Sequence, residues 1–270
     1  MPLAERAVCA DSGRMGVSVP SNALTVRVLP SVEAATEVAL DELHAATRGP
    51  GRPLISFATG STFTALLQWL HGEVVAGRLH LDRLVATHLD EYVGCAPDQR
   101  GGMVHELCTT CPSLATLLRR GLFVPVPADG DPARLRQHEQ RLAHLGGVQL
   151  QFLGIGRNGH IAFNEPGTDF DVGFHVAELA TTTRDDARAR FLPGEAPPCA
   201  VTAGIASILA SRRIVVCAFG RRKAPAVRAM LEGEVDSACP ATALRSHGNV
   251  LVLLDRDAAA GLRRAREFAV

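Results

Sequence analysis

The chain has 270 residues, 47% of them hydrophobic and 21% charged, with 28 basic against 28 acidic side chains and a formal net charge of zero. That is enough apolar material for a large core, and the balanced charge leaves no overall field to attract nucleic acid or an anionic membrane. No apolar run approaches a membrane span and MPLAERAVCADSGRMG lacks the apolar block of a signal peptide, so the cytoplasm is the expected compartment and the seven scattered cysteines are expected as reduced thiols. Residues 1–22 read as a flexible segment and 23–270 as a single domain. Along that domain β-rich apolar runs alternate with stretches of helical period. Residues 24–29 read as a strand and 32–46 as a helix with Ser31 as its N-cap. A buried strand over 54–57 runs into Thr59-Gly60-Ser61-Thr62 and a helix through Leu66, Leu67 and Leu70. A strand over 84–89 ends in Asp90-Glu91-Tyr92. A helix over 103–119, a short strand over 123–126 and a helix over 131–145 lead to a strand from 148. Beyond it the pattern predicts a strand near 175–180, a helix near 201–210, a strand over 214–219, a helix from Lys223, a strand over 250–254 and a last helix. The Pro- and Gly-rich stretch 192–198 reads as a surface loop, because the alternation resumes after it. Such alternation implies a mostly parallel sheet with helices on both faces.

In a sheet of this kind function collects where strand carboxyl ends face a crevice, and three such loops carry unusual chemistry. Thr59-Gly60-Ser61-Thr62 places hydroxyls and small residues before a helix, which suits a phosphate but serves equally as turn and cap. Asp90-Glu91 places two carboxylates at a strand end, and alternation should aim one into the crevice and one away. They suit a general base or a cap. The third loop, FLGIGRNGHIAFNEPG, spells G-x-G-x-x-G at Gly154, Gly156 and Gly159, the pattern of a dinucleotide-binding turn. Pro166 follows too soon for the long helix that turn requires. His160, Asn164 and Glu165 after a buried strand point instead to acid–base work.

Cys108 and Cys111 have no second cysteine or histidine pair, and His105-Glu106 has no second histidine one turn on, so no metal is assigned.

Taken in order, Thr59-Gly60-Ser61-Thr62, Leu89-Asp90-Glu91-Tyr92-Val93-Gly94 and Gly-His-Ile-Ala-Phe-Asn-Glu-Pro resemble the glucosamine-6-phosphate deaminases. The sister 6-phosphogluconolactonases resemble the chain up to the histidine and then usually diverge. The resemblance runs from about residue 25 to the C-terminus. It implies a Rossmann-like three-layer α/β sandwich of the sugar-phosphate isomerase type, acting on a small-molecule sugar phosphate without a cofactor; a homo-oligomer is left open. It further implies that Asp90 moves a proton between C2 and C1 in an aldose–ketose step, that His160 assists ring opening, and that Glu165 supports the histidine. Arg190 and Lys223 match the family's phosphate-binding cations and join Thr59, Gly60, Ser61 and Thr62. Unaided, both would be read as solvated surface charges.

Two departures stand out. Asn158 occupies a position where the family pattern has an Asp in a relay with the histidine and the glutamate. An Asn can orient an imidazole by a hydrogen bond but supplies no charge to imidazolium, so restoring an Asp is expected to raise turnover if ring opening is slow. After Asp90-Glu91-Tyr92 the chain carries Arg100-Gly101-Gly102-Met103-Val104 where the family usually has a Ser and aromatic residues, which should reshape one wall of the pocket. Phe174-His175-Val176-Ala177 lacks the basic residues of the allosteric members, so no effector site is carried over. Three functions fit: an amino-sugar phosphate deaminase or isomerase, an altered-chemistry relative such as a lactonase or another sugar-phosphate isomerase, and a non-catalytic sugar-phosphate binder. Retention of Asp90, His160 and Glu165 argues against the last.

Overall fold

The computed structural model describes residues 23–191 and 194–263. The segment expected to be flexible, 1–22, lies outside the described residues. Strand β1 (Ala23–Leu29) leads into helix α1 (Val32–Arg48), whose N-cap Ser31 accepts from the Ala34 N–H at 3.2 Å. There follow β2 (Leu54–Phe57), α2 (Thr64–Val75), β3 (Val85–His88), β4 (Asp90–Tyr92), α3 (Met103–Thr110), α4 (Pro112–Arg119), β5 (Phe123–Val124), α5 (Pro132–His144) and β6 (Val148–Gly154). The chain continues through β7 (His175–Glu178), α6 (Thr181–Ala187), β8 (Cys199–Thr202), α7 (Ile205–Leu209), β9 (Ile214–Ala218), α8 (Ala224–Glu232) and β10 (Asn249–Asp255).

Seven strands form a parallel sheet in the order β1-β10-β9-β6-β2-β3-β5, flanked by helices, as the alternation predicts. Central strands β2 and β9 are buried along their whole length, which is why they read as continuous apolar runs. Phe57, Phe63 and Phe152 pack together where β2 and β6 lie side by side. From β2 the chain winds outward through β3 and β5, and from β6 it winds the other way through β9 and β10. The order therefore reverses between β2 and β6, the place where an open α/β sheet forms a ligand crevice at its strand carboxyl ends.

Several boundaries differ from expectation. The stretch 84–92 is two strands in different sheets. At Leu89 the chain leaves the main sheet, and β4 joins an antiparallel sheet in the order β4-β8-β7, pairing Asp90 with Thr202 and Tyr92 with Ala200. The helix expected near 201–210 gives way to β8 and the short α7, because Cys199–Thr202 pairs on both sides; tertiary pairing overrides the local pattern. The helix over 103–119 breaks at Cys111, where Pro112 starts a new helix with no N–H to continue the old one. The short strand expected over 123–126 ends at Val124. Residues 194–198 lie in a loop, 256–261 form turns rather than the start of the expected last helix, and 264–270 lie outside the described residues.

Candidate active site

The loops after β2, β6 and β9 leave the same edge of the sheet and touch. Phe63, which follows the Thr59–Thr62 loop, lies against Gly154 at the end of β6, and the Lys223 ammonium after β9 donates to the Ile155 carbonyl at 2.6 Å. Lys223 is thus tied into the loop that carries the histidine. Burial lowers its pKa, an effect that Asp186 opposes and Arg157 reinforces.

That loop explains the glycine pattern. A Cβ on Gly156 would lie 2.3–2.5 Å from three His160 ring atoms, so the glycine makes room for the imidazole. Gly159 has φ 87° and Ala162 has φ 50°, both in the left-handed region, which turns the chain sharply on either side of His160. The Gly156 N–H closes the turn on the His160 carbonyl at 2.8 Å. Asn164 is fully buried and donates to the Ile161 and Ala203 carbonyls, and the Thr202 hydroxyl accepts from the Phe163 N–H. Asn164 therefore fastens the loop to β8, which takes it out of the acid–base group that the sequence suggested.

Glu165 faces His160, with Oε2 3.6 Å from Nδ1. The same carboxylate accepts from the Thr183 hydroxyl at 2.5 Å and from Asn158 Nδ2 at 2.8 Å. Burial pushes its pKa up, but His160, Thr183 and Asn158 outweigh burial and hold it at about 2. The Asn158 Oδ1 accepts from the His160 backbone N–H at 3.2 Å. The Asn158 amide thus holds the Glu165 carboxylate and the main chain of His160 rather than the imidazole. The negative charge beside the histidine comes from Glu165.

The two adjacent carboxylates divide their work. Glu91 is buried and accepts from the backbone N–H groups of Tyr92, Met103 and Val104 at 2.9, 2.8 and 3.0 Å, capping the start of α3. Burial raises its pKa, and those three N–H groups offset part of the rise. Asp90 is 9% exposed and its carboxyl makes no hydrogen bond among the described residues. Burial pushes its pKa up to about 7, helped by the charges of Glu91 and Glu106 and opposed by Arg190. A carboxylate left unpaired and titrating near neutrality can accept and return a proton.

The segment 100–104 packs against the residues around Arg190. Gly101, at φ 96°, lies where a Cβ would come within 2.7 Å of the Phe191 ring, and a Cβ on Gly102 would be 3.2 Å from Glu91 Oε1. These glycines let α3 close in on the segment carrying Arg190 and Phe191. As a result Glu106 Oε2 meets Arg190 Nη1 at 2.6 Å, while its Oε1 accepts from the Gly60 N–H at 2.8 Å. The Thr59 hydroxyl points at Met103 Sδ, 3.0 Å away. Arg190 also lies beside Gly60, with Nη2 3.7 Å from where a Cβ would be. The Thr59–Thr62 loop and Arg190 therefore come together through Thr59 and Gly60.

Sequence reasoning missed Thr183 and gave Met103 and Glu106 no contact with the Thr59–Thr62 turn or Arg190. Thr183 lies on α6, a helix of seven residues without a strong period. Glu106 was weighed only as part of a metal-binding pattern, which it does not complete. A separate cavity of about 900 Å³ beside α5 is lined by Cys95, Val126, Arg134, His138 and Arg141, and by neither Asp90 nor His160. Among the described residues no group of three or more His, Cys, Asp or Glu is placed to hold a metal ion, and no helix is long and apolar enough to cross a membrane.

A parallel sheet whose reversal point gathers a hydroxyl-rich turn, an arginine and an unpaired carboxylate defines an α/β protein with a polar crevice at its strand carboxyl ends. The chain belongs to the glucosamine-6-phosphate isomerases/6-phosphogluconolactonase family, whose model matches residues 30–252. It is 37% identical over 229 residues to a glucosamine-6-phosphate deaminase of Geobacillus sp. (strain WCH70), covering 84% of this chain and 91% of that protein. To a glucosamine-6-phosphate deaminase of Streptococcus suis (strain 05ZYH33) it is 38% identical over 237 residues, 86% of this chain and 96% of the relative. The fold is similar to the solved structure of a monomeric glucosamine-6-phosphate deaminase of the NagB superfamily, with a TM-score of 0.80 at 31% identity, covering 88% of this chain and all of that one. It also resembles 6-phosphogluconolactonase from Leishmania guyanensis, with a TM-score of 0.72 over 89% of this chain and 99% of that one, but at 20% identity this is a likeness of fold alone.

Proposed function

We propose that the protein is an amino-sugar phosphate deaminase, converting glucosamine 6-phosphate or a related 2-amino-hexose 6-phosphate to a ketose phosphate and ammonia within a single domain. The observation that carries this reading is Asp90: a carboxylate at the junction of the two sheets, unpaired and poised at about pH 7, within the field of Arg190. In this reading Asp90 takes the proton from C2 and delivers it to C1, leaving a ketimine whose hydrolysis releases ammonia. His160, held over Gly156 and faced by the Glu165 carboxylate, moves the proton that opens the pyranose ring. Asn158 and Thr183 keep that carboxylate ionised. The Thr59–Thr62 turn, Arg190 and Lys223 receive the phosphate, which suits a dianion facing backbone N–H groups and cations. The alignment with deaminases over more than four-fifths of the chain supports the deaminase over the lactonase. Ammonia release from glucosamine 6-phosphate tests the proposal. Wild type is expected to release it and Asp90→Asn to release none above background, with substrate affinity kept within about an order of magnitude. Hydrolysis of a sugar lactone without ammonia release would overturn the reading.

A further inference from the structure

The donors that receive the phosphate in the proposed function already have an acceptor within the chain. Glu106 takes the Gly60 N–H on one carboxylate oxygen at 2.8 Å and the Arg190 guanidinium on the other at 2.6 Å. Two acceptor oxygens shared between a turn N–H and a guanidinium reproduce the way a phosphate is bound. Met103, three residues earlier on α3, accepts from the Thr59 hydroxyl at 3.0 Å and lies 3.5 Å from Arg190 Nη1, so the same helix face meets a third donor. The contact is built into the fold: Glu91 pins the start of α3, and Gly101 lets α3 press against Phe191, next to Arg190. Charge makes it consequential. A sugar phosphate near pH 7 carries about −1.5 to −2, and a carboxylate against Arg190 cancels one of the two cations, Arg190 and Lys223, assigned to it. With Glu106 half-buried, solvent screens this only in part.

We propose that Glu106 is a specificity-determining residue, an internal counter-anion that competes with the substrate's phosphate for Gly60 and Arg190. The inference rests on the reading of this turn as the phosphate site. A phosphorylated sugar binds by displacing the carboxylate, a dianion replacing a monoanion on the same donors. Singly charged and uncharged sugars lack the charge to do so, and Glu106 thereby trades affinity for discrimination.

Inorganic phosphate is the probe, titrated calorimetrically into wild type, Glu106→Gln, Arg190→Ala and the double variant, with KM for glucosamine 6-phosphate measured on each. Glu106→Gln keeps the shape and removes the charge; it is expected to tighten phosphate and lower KM by about tenfold. Arg190→Ala is expected to cost more affinity in the Glu106→Gln background than in wild type, because there the guanidinium is no longer neutralised. Glu106→Leu, whose thermal unfolding is compared with wild type, serves if the amide variant misfolds, with the same direction expected. Phosphate binding that is unchanged or weaker in both variants overturns the inference while leaving the phosphate site standing. No phosphate binding by any of the proteins overturns the inference and the phosphate-site reading together.

Discussion

Replacing Asn158 by Asp separates the geometry found from the role expected of that position. The amide orientation is fixed by its partners. Turned over, Oδ1 would face the Glu165 carboxylate and Nδ2 would face the His160 N–H. Aspartate keeps the bond from His160 and loses the one to Glu165, leaving two carboxylate oxygens about 3 Å apart without a proton between them. A hydrogen bond to a charged group contributes about 1.5–3 kcal/mol, cut to about 1–2 kcal/mol because Asn158 is exposed. Repulsion between two charges at that distance adds about 1.4 kcal/mol in the water limit. The expected loss of stability is therefore about 2–4 kcal/mol at pH 7. The sign with pH follows from Glu165, whose pKa is depressed to about 2. Its contribution is present above the unfolded value of 4.5 and is lost as pH falls toward 2. The variant gives up part of that contribution, and its paired acids take up a shared proton, so its stability should converge on wild type as pH falls toward about 4. Urea unfolding at several pH values between about 4 and 8 measures this, with ammonia release at pH 7 alongside. Turnover is expected to fall, because the lost bond from position 158 and the repulsion move the Glu165 carboxylate away from His160. A variant as stable as wild type at pH 7 and faster in turnover would refute the reasoning and return position 158 to the charge-supplying role expected from the family pattern.

The pH–rate profile should show an acid limb in kcat/KM near pH 7, falling about tenfold per pH unit below it as Asp90 takes up its proton; a profile flat down to pH 5 would remove Asp90 as the base. Because the Asp90 pKa is raised in the fold, its ionisation destabilises the protein as pH rises from 3.8 through 7, so Asp90→Asn is expected to be more stable than wild type at pH 8, by up to about 4 kcal/mol in urea unfolding. Gly156→Ala should displace the His160 ring and lower kcat by about a hundredfold with circular dichroism unchanged; near-normal turnover would show that the imidazole position does not matter. Lys223→Ala should weaken binding of phosphorylated sugars by about 1.5–3 kcal/mol and hardly affect unphosphorylated ones; an equal loss for both would mean that its bond to Ile155 supports the loop rather than the phosphate.

The sequence alone determined the layered α/β architecture, because burial of a parallel sheet on both faces writes itself into chain-local runs such as Leu54–Phe57, and helices such as α1 announce themselves by period and cap. It also marked the edge where the site lies, since Asp90, His160 and Glu165 all follow strands. Tertiary structure decided the rest. The split of 84–92 between two sheets depends on β8, over a hundred residues later, as a partner for β4. Which carboxylate became a cap and which stayed unpaired was settled by where α3 begins. The G-x-G-x-x-G spacing could not say what its glycines make room for; Pro166 spoke against a pyrophosphate, and the packed ring over Gly156 shows the imidazole. The meeting of Glu106, Gly60 and Arg190 joins residues 46 and 84 positions apart, and no local period records it. Periodicity reports which face of an element is buried, whereas a polar contact between distant segments depends on the three-dimensional path between them, which only the folded chain fixes.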